Sequence, residues 1–237
     1  MTADTRPVTV LFEADKLILE LHHDAEGAYH AFPGAHSGAA DAPRVALSLE
    51  EALDARIRPA GTAETVLRTW AEGAAPQGPV TLVDPAAVPP VRVRAGAVVI
   101  REGAVLLIRF EEDGGPLYEI PGGGVEEGET PEEAALRELG EETGLGGTVG
   151  PRIARVWKDG RHEHYFLVSA TGEVGPPETL DNYGGTPVWV PVDRLPATPL
   201  WPRRLSWRIE HWHRTGWPER PAELADSITE LGPACGW

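Results

Sequence analysis

Residues Gly123–Leu145 read GGVEEGETPEEAALRELGEETGL, and the order of residue types in this stretch decides the fold. Thr130 stands where a helix would be capped. Pro131 takes the first helical position, and Glu133 completes a Thr-x-x-Glu capping box. Ala135, Leu136 and Leu139 recur at helical spacing as the stripe to be buried. Gly144 follows the last carboxylates and can take the left-handed conformation that ends a helix. The spacing predicts a helix from about Pro131 to Thr143. On it Glu138, Glu141 and Glu142 lie at i, i+3 and i+4, so three carboxylates share one face. Like charges so close repel, and a divalent cation removes that cost. Hard oxygen ligands favour Mg²⁺, which keeps some of its waters and binds phosphates. An arbitrary glutamate-rich helix is usually just a solvated acidic face. Here the preceding loop, Pro121-Gly122-Gly123-Gly124, reverses that weighting, because glycines let the backbone come close to a ligand or metal.

The full spacing is Gly123, five residues, Glu129, seven residues, then Arg137-Glu138-Leu139-x-Glu141-Glu142-x-Gly144-Leu145. With every glycine, glutamate, arginine and apolar position filled, the segment resembles the box of the Nudix hydrolases. These enzymes cut diphosphate linkages in compounds made of a nucleoside diphosphate joined to another group. The resemblance covers about residues 91–215. It implies an α/β fold with a mixed β-sheet sandwiched between helices, an α/β/α arrangement. It also implies that Glu129 and Arg137 pair to brace the loop against the helix. The metal ligands it implies are Glu138, Glu141 and Glu142, joined by a loop carbonyl near Gly123. Mg²⁺ is the expected cofactor, with Mn²⁺ as a substitute. Bound metal would neutralise the diphosphate and activate a water for attack at phosphorus. A carboxylate would accept the water's proton. Glu138 is one option, and a later glutamate, Glu163 or Glu178, is the other.

At 237 residues the chain can hold one large domain or two small ones. Its hydrophobic content of 41% indicates a folded core and not a disordered chain. No apolar run approaches a membrane span, and MTADTRPVTV at the start lacks a basic stretch followed by an apolar core. The one cysteine, Cys235, excludes an internal disulfide. A cytoplasmic protein with no membrane partner is expected. The formal charge of −16 argues against non-specific binding to nucleic acid, whose phosphates need a basic surface. The expected partner is a small, nucleotide-like diphosphate, and a homodimer is compatible with the sequence.

Asp84-Pro85-Ala86-Ala87-Val88-Pro89-Pro90 interrupts regular structure. It divides the chain into a small α+β region of unknown role (1–88), the core domain (89–215) and a C-terminal tail (216–237). In the first part, Val8–Phe12 and Leu17–Leu21 read as strands around a turn at Ala14-Asp15. Ser48 with Glu51 caps a short helix to about Arg56, a second helix covers Ala63–Glu72, and Val80–Val83 is a short strand. His22, His23, His30 and His36 fit no zinc spacing and receive no role. In the core, a hairpin turn at Arg101-Glu102-Gly103 joins strands Val91–Ile100 and Val105–Phe110. Leu117–Ile120 leads into the glycine loop. Arg152–Trp157 and His164–Ala170 flank a turn at Lys158-Asp159-Gly160. Val188–Val190 is the final strand and Pro202–Arg214 the terminal helix.

Substrate choice depends on residues outside the box. Alternation along 161–166 puts Glu163 and Tyr165 on one strand face and His162, His164 and Phe166 on the other. Glu163 and Tyr165 join Gly123 and Gly124 as the candidates for touching substrate. Tyr165 could stack on a base, although core packing is at least as good a use of the ring. Trp201, Leu205, Ile209 and Trp212 form a helical stripe that reads as buried. Arg203, Arg204 and Arg208 lie elsewhere on that helix, as a solvated basic face or a phosphate grip. Asp181-Asn182-Tyr183-Gly184-Gly185 is a flexible loop of the kind that sets substrate choice. Two further readings stand beside hydrolysis. A module that senses a nucleotide without turnover would be expected to lack box carboxylates, and all are present; residues 1–88 also show no helix-turn-helix pattern. A diphosphate isomerase would call for another catalytic cysteine, for which Cys235 is poorly placed.

Overall fold

The computed structural model describes residues 7–25, 27–34, 42–58, 60–71, 73, 78–81, 90–158 and 161–226. The expected break at 84–90 lies outside them except for Pro90, as do His36, Glu72, Leu82, Val83, Asp159, Gly160 and Cys235.

The chain opens with β1 (Pro7–Glu13), β2 (Lys16–Asp24), β3 (Gly27–Ala31) and β4 (Arg44–Leu47). The helix α1 (Leu49–Asp54), the strand β5 (Ile57–Arg58), the helix α2 (Ala60–Ala71) and the strand β6 (Gly78–Thr81) follow. Ala14 and Asp15 make the tight turn between β1 and β2 with φ of 47° and 58°. The capping box at Ser48 and Glu51 is formed, and α1 stops at Asp54, two residues before the expected Arg56. The six strands form one sheet in the order β5-β3-β2-β1-β6, with β4 on β2. Leu17 and Leu19 of β2 pack with Leu53 of α1 and with Val66 and Leu67 of α2.

The core follows as β7 (Arg92–Val98), β8 (Ile100–Arg101), β9 (Ala104–Glu112), β10 (Gly115–Glu119), β11 (Gly122–Gly124) and α3 (Pro131–Thr143). It ends with β12 (Gly146–Lys158), β13 (Arg161–Thr171), β14 (Thr186–Pro191), β15 (Leu200–Trp201), α4 (Arg203–Thr215) and β16 (Ala222–Asp226). The expected mixed sheet is present, but as two sheets. One has the order β11-β7-β13-β12-β16, and the other is β14-β9-β10-β15 with β8 on β9. Each combines parallel and antiparallel pairs. The hairpin at Glu102 and Gly103 forms, but only β8 runs back along β9. The strand β7 is buried over its second half, Ala95–Val98, because it sits inside a sheet with a partner on each edge, β11 and β13. Val188–Val190 is not the final strand either. Residues 222–226, expected in a tail, form β16 beside β12, with Leu224 buried.

Two helices cover the β7–β13 sheet. Ala134, Ala135 and Leu139 of α3 meet Ala95, Ala97 and Val99 on one side, with Phe166 and Val168 of β13. On the other side Val98, Tyr165, Ala154 and Leu224 face Leu107 of β9 and Leu205, Ile209 and Trp212 of α4. Each such large apolar side chain contributes roughly 2 kcal/mol on burial. The boundaries of α3 are those its sequence predicts, with the Thr130–Glu133 capping box in place and Gly144 at φ 76°. Thr130→Ala is expected to cost about 1 kcal/mol, read as a lower midpoint in urea, because it frees the Glu133 N–H.

The helix α4 overturns one expectation. Leu205, Ile209 and Trp212 of its predicted stripe are buried, while Trp201 is buried on β15 ahead of the helix. But Arg203, Arg204 and Arg208 are also buried, at 2%, 5% and 2% exposure. They are neither a solvated face nor a phosphate grip, because the N-terminal region covers that side of α4. Trp207 packs against its core, Arg208 donates to the Leu53 carbonyl at the end of α1, and Arg203 donates to the Thr198 carbonyl. Asp54 accepts from the Trp212 indole and pairs with His211. The sequence shows the charge of these arginines but not what lies over them.

Candidate active site

The helix α3 carries Glu138, Glu141 and Glu142 in its second half. There the helix dipole is negative and the last turn holds no basic residue. The site thus concentrates negative charge where the backbone opposes it. Arg137 answers part of that charge. Its Nε and Nη2 donate to the two oxygens of Glu129 at 2.9 and 3.1 Å, and Nη2 also donates to the Gly124 carbonyl at 2.9 Å. The brace between Glu129 and Arg137 that the resemblance implied is therefore seen in the geometry. Hydrogen bonds from Arg137 and from the Glu126 amide hold the Glu129 carboxyl below its usual range. The remaining nitrogen, Nη1, donates to both Glu138 and Glu141 at 2.9 Å.

Glu142 is placed differently. Its side chain turns inward to accept the Gly122 N–H at 2.9 Å, and only 7% of the residue is exposed. Burial raises its pKa to about 8, helped by the charge of Glu138 and opposed by the Gly122 amide and by Arg94. Among the described residues, no three acidic, histidine or cysteine side chains already form a cation cage. The reason is local: Arg137 holds Glu138 and Glu141, while the loop amide holds Glu142. The donor set nonetheless fits a hard divalent cation. It consists of carboxylate oxygens on one helix face, and one of them is costly to ionise without positive charge beside it.

The glycine loop is β11, antiparallel to β7. A Cβ on Gly123 would lie 2.1 Å from a Glu138 oxygen, and one on Gly122 would lie 2.3 Å from the Ala95 carbonyl oxygen. These contacts predict different outcomes. Gly122→Ala clashes with backbone and should lower the thermal midpoint by several degrees, about 1–3 kcal/mol. Gly123→Ala meets only a movable carboxylate, so it should fold normally and instead displace Glu138. Comparing the two variants by thermal melt checks both.

The other predicted residues separate. Glu163 and Tyr165 do share a face, and the Tyr165 hydroxyl donates to Glu163 at 2.6 Å. Both are buried, at 2% and 7% exposure, and the Tyr165 ring belongs to the core between the sheets. Of the two uses the sequence left open for Tyr165, the ring takes core packing, since Gly96 leaves room for it. Glu178 is exposed on a 3₁₀ turn, Pro177–Thr179. Arg94 and Glu119 were missed. Arg94 donates to the Gly122 carbonyl at 2.8 Å and lies 3.9 Å from both Glu119 and Glu163. The available signal was strand alternation, which sets Arg94 of β7 on the same face as Gly96.

Comparison with known proteins agrees with this geometry. A NUDIX domain model matches residues 90–209, just over half of the chain. A Mycobacterium tuberculosis (strain CDC 1551 / Oshkosh) protein provisionally named mutator protein MutT4 is 33% identical over 144 residues, 55% of this chain and 51% of its own length. An RNA pyrophosphohydrolase of Sphingopyxis alaskensis is 34% identical over 104 residues, 35% of this chain and 66% of its own length. A Bacillus subtilis (strain 168) protein provisionally named 8-oxo-dGTP diphosphatase is 34% identical over 105 residues, 43% of this chain and 68% of its own length. The chain therefore spans between about half and two thirds of these relatives. With the family model matched across the glycine loop, α3 and both core sheets, this chain is a member of the NUDIX domain family.

Proposed function

We propose that the chain is a divalent-cation-dependent hydrolase that cleaves a diphosphate linkage in a nucleotide-like compound. The observation that carries this reading is the grouping of Glu138, Glu141 and Glu142 on one face of α3, with the Glu142 carboxylate buried and bonded to the Gly122 amide of the glycine stretch. The names of two relatives, an RNA pyrophosphohydrolase and an 8-oxo-dGTP diphosphatase, support the same class of chemistry. In this reading Glu138, Glu141 and Glu142, joined by the Gly123 carbonyl, would hold the cation, with Mg²⁺ as the natural ion and Mn²⁺ as a substitute. A bound cation supplies charge neutralisation of the diphosphate and a more acidic water.

The chain's own residues supply the rest. Glu129 and Arg137 keep the loop against α3, and Gly123 and Gly124 let phosphate oxygens approach the backbone. Arg94 places a positive charge next to the loop. Water adds to phosphorus, the bridging P–O bond breaks, and the water's proton passes to a carboxylate. Glu138 and Glu178 are the candidates for that base. Glu163 drops out, because its carboxylate is buried and accepts the Tyr165 hydroxyl. The reading places the protein in the cytoplasm; no described helix is long and apolar enough to cross a membrane.

The test is a screen of the purified full chain with Mg²⁺ against ADP-ribose, dinucleoside polyphosphates, NADH, nucleoside triphosphates and sugar nucleotides. Phosphate or nucleotide release that stops in excess EDTA is expected. Release that continues in excess EDTA contradicts the cation, and measurable nucleotide binding without any hydrolysis favours a sensor.

A further inference from the structure

Building on the hydrolase reading, we infer that a hollow between β9 and the loop 181–185 receives the base of a nucleotide substrate, with Tyr183 as its stacking surface. The hollow encloses about 300 Å³, and its walls include Arg109, Phe110, Glu111, Glu112, Tyr183 and Thr186. Tyr183 is 89% exposed, and among the described large apolar residues only Val91 is as exposed. Its φ of 53° is a left-handed conformation that costs a side-chain-bearing residue roughly 1–2 kcal/mol. The ring therefore spends backbone strain without a packing return, which fits a surface kept for a ligand.

The loop is pinned rather than loose. The Asp181 amide donates to the Glu141 carbonyl at 2.9 Å, and the Gly185 amide donates to the Asn182 carbonyl at 2.9 Å. Asn182 is 3% exposed and its side-chain amide points at the Glu142 carbonyl, at 3.4 Å. Gly185 lies so close over Ile108 and Phe110 that a Cβ would meet them at 2.3 and 2.8 Å. The same helix residues that carry the carboxylates thus anchor the loop. Tyr183 follows Asp181 by two residues, at most about 7 Å of chain, so a short tether ties it to the end of α3.

Charge selects the occupant. Glu111 and Glu112 line the hollow against one guanidinium, Arg109, which is already paired to Glu111 at 2.6 Å. A phosphate would be repelled there. A neutral planar ring fits, because it can lie on the Tyr183 ring and offer an N–H group to a carboxylate of the lining. A nucleobase has both properties.

Steady-state kinetics of the full chain with ATP, GTP, CTP, UTP and base-free tripolyphosphate tests this. Tyr183→Ala should raise KM for the nucleotides about tenfold with kcat within about twofold, and leave KM for tripolyphosphate unchanged. Tyr183→Phe should restore the nucleotide KM. Unchanged nucleotide KM in Tyr183→Ala, or an equal rise with tripolyphosphate, overturns the subsite while the hydrolase reading stands. Saturation-transfer NMR with adenosine and guanosine needs neither cation nor turnover. It should show transfer to the base in the wild type and its loss in Tyr183→Ala, and absence of transfer in the wild type overturns the subsite even if no hydrolysis is found.

Discussion

Glu141→Gln is expected to lower kcat on the best diphosphate substrate roughly a thousandfold, while the thermal midpoint moves by no more than about 2 °C. A bound cation is worth several kcal/mol of charge stabilisation in phosphoryl chemistry, and a tenfold change in rate corresponds to about 1.4 kcal/mol. Removing one anionic ligand should forfeit a large part of it. The fold should not notice. The Glu141 side chain is 47% exposed, and its one ion pair, to Arg137 a turn away, is of the kind that contributes little. Glutamine keeps an oxygen that the Arg137 Nη1 can still meet. The measurement pairs kcat with a melting curve, and a variant of near-wild-type rate would sink the assignment of this carboxylate.

Glu223→Ala should be strongly destabilising, by about 3 kcal/mol, or a midpoint lower by about 6–12 °C. Glu223 Oε1 accepts from Arg56 at 2.9 Å, Arg58 at 3.0 Å and Arg155 at 2.8 Å, while Oε2 accepts from Arg58 at 2.9 Å. Alanine leaves Arg56 and Arg58 with Asp24, which accepts from Arg56 Nη1 and Nη2 and lies 3.0 Å from Arg58, and takes the Glu223 partner from Arg155. The Arg56 side chain is 4% exposed and that of Arg155 14%, so water cannot make up the loss. Because Arg56 and Arg58 belong to the N-terminal region and Glu223 to β16, the variant should also loosen that region. A urea titration would then show two transitions where the wild type shows one.

The same carboxylate sets an acid limit. Burial alone would raise the Glu223 pKa, but hydrogen bonds from Arg58 and Arg56 outweigh it and hold it below the usual value. A depressed folded-state pKa means that the stabilisation is complete above the unfolded value, about 4.3. It is lost as pH falls from there through the folded-state value. Acid unfolding followed below about pH 4.3 should therefore show a smaller loss of stability per pH unit in Glu223→Ala than in the wild type.

How far the sequence reaches can be read from individual residues. The start and end of α3 depend on Thr130, Pro131, Glu133 and Gly144, all within a turn of the boundary they set. The turn at Ala14-Asp15 and the cap at Ser48 are similarly local. The shared face of Glu138, Glu141 and Glu142 needs only helical geometry. Local rules failed at the first half of β12, where Gly146, Gly147 and Gly150 carry no strand signal and pairing with β13 supplies the order.

The amino-acid order alone thus determined α3, its caps and its three carboxylates, because each follows from contacts between near neighbours in the chain, whereas the glycine stretch became strand β11 only by pairing with β7. Tertiary structure decided which charges are buried. Arg208 meets a carbonyl 155 residues away, and Arg56 meets Glu223 across 167. Burial is set by whatever segment comes to lie over a side chain, so no pattern around Arg203 or Arg208 could reveal it.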